Sequence, residues 1–179
     1  MKKNIIAVLL IVTIFTVGLF AATNPADSSF DVSTTIQGIN KMKITAEAFT
    51  GTSPGSFNTA DGFDSPLGVT EAGSQDFDAY LSTLSNNRTG YTVTMEATAM
   101  SSTVSSITAY IDYTVGVNGV TFTTDGATAG TAVDVITVAS LTGLSSESHQ
   151  ISLSVDQTSF DAAVEGTYEG TVTFTYTAT

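Results

Sequence analysis

His149 is the only histidine among 179 residues, and cysteine and tryptophan are both absent. No multi-histidine metal site can be built from such a chain, and no thiolate is available as nucleophile or ligand. A Ser–His–Asp arrangement around His149 is formally open, but no nucleophile elbow is expected to support it. His149 reads instead as a surface residue at the start of a strand. Two carboxylate pairs could do general acid–base work, Asp61 with Asp64 and Asp76 with Asp78, each pair within one expected loop. Without tryptophan there is no indole platform for a sugar beside them. The run from Asn58 to Asp64, NTADGFD, offers oxygen ligands for calcium, yet their order does not match an EF-hand loop. Asn87-Arg88-Thr89 has the N-glycosylation spacing, which chance supplies readily in a chain this rich in threonine. The expectation is a protein that is not an enzyme and holds no cofactor or metal.

The elements that carry these residues show a period of two from Phe30 onward. FDVSTTI sets Phe30, Val32, Thr34 and Ile36 on one face, and KMKITAEAF sets Met42, Ile44, Ala46 and Ala48 opposite Lys41, Lys43, Thr45 and Glu47. Tyr91, Val93, Met95, Ala97 and Ala99 alternate with threonines and Glu96. Ile107, Ala109, Ile111, Tyr113 and Val115 alternate in the next run, and Tyr168, Val172, Phe174 and Tyr176 in the last. A strand with one face in a core and one in water needs this pattern, and threonine suits the wet face because it is both β-branched and polar. Asn118-Gly119 between two such runs predicts a type I′ hairpin. Asn86–Gly90 predicts a longer connection, and Asp125-Gly126 and Gly130 predict breaks. Thr50 to Asp76 reads as a long loop with at most a weak strand near Leu67–Val69. The sum is an all-β chain of eight to ten strands at β-sandwich spacing, without internal repeats or a linker.

Lys2 and Lys3 precede an uncharged apolar run from Ile5 to Phe20, and Ala21, Ala22 and a polar segment follow. That order predicts a secretory signal peptide over residues 1–22, cleaved after Ala21 or Ala22. The run is short for a spanning anchor. A single domain over 23–179 and an extracellular, cell-surface or periplasmic location follow. Residues 23–179 hold three basic residues (Lys41, Lys43, Arg88) and all 17 acidic ones, for a net charge of −14. Such a surface repels nucleic acid and anionic lipid, so neither a nucleic-acid partner nor membrane insertion of the mature chain is expected. With no disulfide, stability must come from the core and its hydrogen-bond ladders.

Three stretches together resemble fimbrial subunits of the alternate chaperone–usher class and spore-coat-U-like secreted proteins. FDVSTTI is followed by the strand KMKITAEAF; DAYLSTLSNNRTGYTVTMEATAM is similar to their strand–turn–strand; and EGTYEGTVTFTYTAT resembles the G-x-Y-x-G-x-V-x-x-x-x-T ending of such pilins. The resemblance implies an incomplete immunoglobulin-like (pilin-like) β-sandwich whose groove is filled by a neighbour's N-terminal strand. It implies a donor segment within 23–40, with Phe30, Val32, Thr34 and Ile36 as the donor face. Val172, Phe174 and Tyr176 would border the acceptor groove. The partners it implies are further copies of the chain in a homopolymer and a periplasmic chaperone, in a structural and adhesive role. Two alternatives stand beside it. One is a monomeric secreted β-sandwich that binds a carbohydrate or protein through the Thr50–Asp76 loop. The other is an outer-membrane barrel, disfavoured by the lack of aromatic girdles and of a terminal aromatic residue.

Overall fold

In the computed structural model the described residues are 29–63 and 66–179. The expected signal peptide lies outside them. The chain divides into two units, Met1–Ile36 and Gln37–Thr179. Within the first, residues 29–36 adopt neither helix nor strand, and Phe30, Val32 and Ile36 are 86%, 84% and 81% exposed. FDVSTTI has the strand pattern but no strand, because a ladder needs a second strand to close its hydrogen bonds.

The second unit is all-β and antiparallel. Among the described residues it has ten strands: β1 (Asn40–Thr45), β2 (Gly73–Ser85), β3 (Tyr91–Ala97), β4 (Met100–Val104), β5 (Ile107–Ile111), β6 (Tyr113–Val117), β7 (Val120–Thr123), β8 (Val133–Val138), β9 (Ser145–Val155) and β10 (Val172–Ala178). They form a five-stranded sheet in the order β1-β2-β9-β6-β7, a three-stranded sheet β10-β3-β8 and a two-stranded ribbon β4-β5. One apolar core draws on both larger sheets. Leu81, Val115, Val117, Ile151 and Leu153 come from the first sheet, and Tyr91, Val93, Met95 and Ile136 from the second.

Local chemistry sets the connections. Asn118 and Gly119 have φ of 53° and 75°, the two positive values that a type I′ turn requires, and they join β6 to β7 with Val117 opposite Val120. A one-residue bulge in β8 at Val135 lets Val135 and Ile136 both be buried. The long alternating run from Ile107 to Val115 is not one strand. It breaks at Asp112, whose carboxylate accepts from Thr124 Oγ1 (3.0 Å) and the Gly126 amide (2.7 Å) and so turns the chain between sheets. The expected loop after Thr50 holds a short helix α1 (Pro54–Thr59), capped by Ser53 with proline in the first turn. A second short helix, α2 (Gln157–Asp161), is capped by the Asp156 carboxylate, which accepts from the Ser159 amide at 2.7 Å.

Candidate assembly surface

β10 is an edge strand: it pairs with β3 on one side, with Val172 opposite Ala97 and Ala178 opposite Tyr91. Its residues split as the period of two dictates. Val172, Phe174 and Tyr176 are half-buried against the core, while Thr173, Thr175 and Thr177 are exposed. β1 is the corresponding edge of the other sheet, and Met42 and Ile44 are likewise half-buried against the core. The Tyr176 ring stacks on Tyr91 with centroids 4.9 Å apart and planes 20° apart. The Tyr176 hydroxyl lies 3.0 Å from Asn40 Oδ1 and 3.1 Å from Ser85 Oγ, so the end of β10 is fastened to the start of β1. Burial raises the pKa of this hydroxyl against the lowering effect of the Ser85 hydrogen bond.

From that fastening, two sheet edges with incompletely buried apolar residues flank one side of the core. At the far end the chain after α1 returns to β1. The Ala46 amide donates to Asp61 O (3.0 Å), and the Phe63 amide donates to Ile44 O (3.1 Å) around a Thr45–Gly62 bridge. Phe63, Leu67 and Val69 pack against the core there. Leu67 and Val69, with Met100, Ile111, Phe160 and Tyr168, line a cleft of about 540 Å³. The Tyr168 hydroxyl fixes one wall by bonding the Val164 amide and carbonyl at 3.1 and 2.9 Å.

The expected site residues therefore fall into two sets in the two units. Val172, Phe174 and Tyr176 lie on an edge strand beside the core, and Phe30, Val32, Thr34 and Ile36 lie in a segment without a strand, all four exposed. Sequence reasoning missed the Tyr176–Asn40–Ser85 fastening, which joins residues 136 and 91 positions apart. It also missed the packing of Phe63, Leu67 and Val69. Their alternate spacing was a signal, hidden in a stretch of glycine, serine and proline.

The residues considered for catalysis lie in other surroundings. His149 sits in the middle of β9, opposite Leu81 and not at a strand start. Its Nε2 is 3.4 Å from Glu147 Oε2, two residues along the same strand face. Asp76 and Asp78 belong to β2 and not to a loop; Asp64 lies outside the described residues. A Gly-x-Ser-x-Gly spacing does occur, at Gly51-Thr52-Ser53-Pro54-Gly55. Ser53 there is the N-cap of α1, its Oγ accepting from the Ser56 amide at 3.3 Å with φ of −98°, and no strand leads into it. A nucleophile elbow needs a strained strand-to-helix turn, which this is not. The Asn87 side chain donates to Gly90 O at 2.6 Å, so the sequon asparagine is engaged in its own turn. Among the described residues no three carboxylate or imidazole side chains converge as metal ligands. No protein-family model matches the chain, and no curated protein matches it in sequence.

Proposed function

We propose that this chain is an exported structural subunit of a cell-surface filament or coat, with an adhesive role, that assembles by β-strand addition. In this reading the two larger sheets form an incomplete immunoglobulin-like sandwich, open along the flank between β1 and β10. Phe30, Val32, Thr34 and Ile36 of one copy enter that flank on the next copy. A secretory signal peptide delivers the chain outside the cytoplasm, and a chaperone holds the flank until a neighbour fills it. One observation carries the reading: an edge strand leaves alternate apolar side chains half-exposed on the core, in a chain that also has a segment, outside any helix or strand, whose alternate apolar side chains are exposed. Main-chain bonds to β10 would supply affinity, and the alternation would fix register. Burying Phe30, Val32 and Ile36 would stabilise the contact by roughly 1.5–3 kcal/mol each.

The experiment compares Val32→Asp with Ser33→Asp. Val32→Asp places a carboxylate in the flank, and lost burial with an unpaired charge weakens the contact by at least about 4 kcal/mol, or about a thousandfold. Ser33 points to the other face, so Ser33→Asp still polymerises. Polymerisation is read as an SDS-resistant ladder that collapses on boiling. Equal ladders from both variants would overturn the proposal. The cleft of about 540 Å³ favours a second reading, a monomeric binding module, since its volume is that of a small-ligand pocket. A chain that stays monomeric at high concentration and forms no filaments would leave that reading in place.

A further inference from the structure

The cleft of about 540 Å³ has an apolar lining and an acidic setting. Its walls include Leu67 and Val69, Met100 and Ile111 from the ribbon β4-β5, Phe160 of α2 and Tyr168. Ile111 is buried and the other five are partly exposed, so apolar surface lines a space large enough for a small molecule. The two bonds from Val164 to the Tyr168 hydroxyl hold that ring by its rim and leave its faces free of them.

The wall that Phe160 and Tyr168 supply is acidic. From Asp156 to Glu169 the chain carries four carboxylates, Asp156, Asp161, Glu165 and Glu169, and no lysine, arginine or histidine. Glu169 is itself on the lining, and its backbone amide and carbonyl bond those of Ser101 at 3.1 and 2.9 Å. Among the described residues no basic side chain lines the cleft. Lys41 and Lys43 bond Asn58 and Ala60, and Arg88 lies in the turn before β3. An anion would enter against this field and a cation with it. Aromatic faces strengthen the preference, because the ring quadrupole attracts positive charge. We infer that the cleft binds a small apolar cation, an amine or quaternary ammonium with a hydrocarbon body. The body rests on Leu67, Met100 and Ile111, and the charge lies by Tyr168 and Glu169. The inference rests on the binding-module reading of the cleft, names the class of its ligand, and does not need strand addition.

Methionine methyl NMR on the full chain tests this, because Met100 lines the cleft, Met95 is buried in the core and Met42 lies on β1. The probes are benzylamine, a cation at neutral pH, benzyl alcohol and benzoate, which share one size and differ in charge. Benzylamine should shift the Met100 methyl and leave those of Met42 and Met95 in place. It should bind about tenfold more tightly than benzyl alcohol, and weaken as salt rises, with benzoate the weakest of the three. Glu165→Gln/Glu169→Gln should cut the preference for benzylamine to about threefold or less. Ala163→Phe, which puts a ring into the cleft, should remove binding of all three probes. Benzyl alcohol bound as tightly as benzylamine, or a preference unchanged in the double variant, overturns the cationic ligand and leaves the cleft as a binding site. No shift of Met100 with any probe overturns the cleft as a site, and the binding-module reading it supports. Should Ala163→Phe not fold, the Met100 shift in the natural chain decides alone.

Discussion

Among the described glycines, Gly90 has the closest backbone neighbour. Its φ is 86°, and a Cβ built there would lie 1.8 Å from the carbonyl oxygen of Val138 on the neighbouring strand β8. Both penalties fall on the turn that leads from β2 into the core strand β3. Gly90→Ala should therefore cost at least about 2 kcal/mol, because strain and overlap with unyielding backbone add. Gly73 has a φ of 97° but nothing within 4 Å of its Cβ position, so Gly73→Ala should cost only about 1 kcal/mol, from strain alone. Chemical denaturation of the pair checks the order. Tyr113 makes a second residue-scale prediction. Burial pushes its hydroxyl pKa up to about 12, above the usual 10. The unfolded chain therefore loses this proton first as pH rises, and stability falls between about pH 10 and 12. Tyr113→Phe removes that dependence, so its stability should fall less over this window, by on the order of 2 kcal/mol. Tyr91, also raised chiefly by burial, leaves a residual slope in both proteins. Identical alkaline slopes would show that Tyr113 is solvated in the folded state.

At the scale of elements, the ribbon β4-β5 stands apart from both larger sheets. One face begins at Met100 opposite Ile111, where it meets the core, and ends at Val104 opposite Ile107, 56% and 73% exposed. Its turn, Ser105-Ser106, has φ of 52° and 68°. Those are the values of a type I′ turn, which asparagine and glycine adopt readily and serine does not. Replacing the pair by Asn-Gly should raise stability by about 1 kcal/mol without changing register, seen as a higher melting temperature. A loss of stability would mean that the serine hydroxyls do more for the turn than its backbone strain takes away. The same ribbon shows why much, but not all, of the fold was legible in the sequence. Period two announced the strands wherever a pleated face meets a core, and Asn118-Gly119 announced its own turn. The pattern could not show that the alternation from Ile107 to Val115 passes from the ribbon to the five-stranded sheet at Asp112, because both pieces alternate in the same phase. Nor could it announce α1, whose six residues are too few for a helical period and whose Pro-Gly start resembles a turn. Of the candidate site, Val172, Phe174 and Tyr176 were legible because each contributes to a local alternation. The β1 edge, and the packing of Phe63, Leu67 and Val69 against the core, depend on contacts distant in sequence.

For the whole molecule, charge governs how two copies of this chain would approach one another. Residues 23–179 carry 17 acidic and three basic residues, so any two copies repel over the distances at which they first approach. The proposed contact would then be made by apolar side chains and main-chain hydrogen bonds, neither of which needs opposite charges. Of the three basic residues, the Lys43 ammonium donates to Ala60 O and that of Lys41 to Asn58 Oδ1 at 2.9 Å, so two are engaged within their own subunit. Salt should therefore speed assembly. The screening length shrinks from about 30 Å at 0.01 M to about 4–5 Å at 0.5 M, which removes repulsion without touching the strand contact. The rate of polymer formation, followed by light scattering, is expected to rise by about tenfold or more across that range. The same series with Val32→Asp should stay flat, since screening cannot restore a strand that no longer fits the flank. A natural chain that assembled more slowly as salt rose would mean that opposite charges hold the copies together. Arg88 and acidic residues on a neighbour would then be the place to look, and the flank between β1 and β10 would not be the joint.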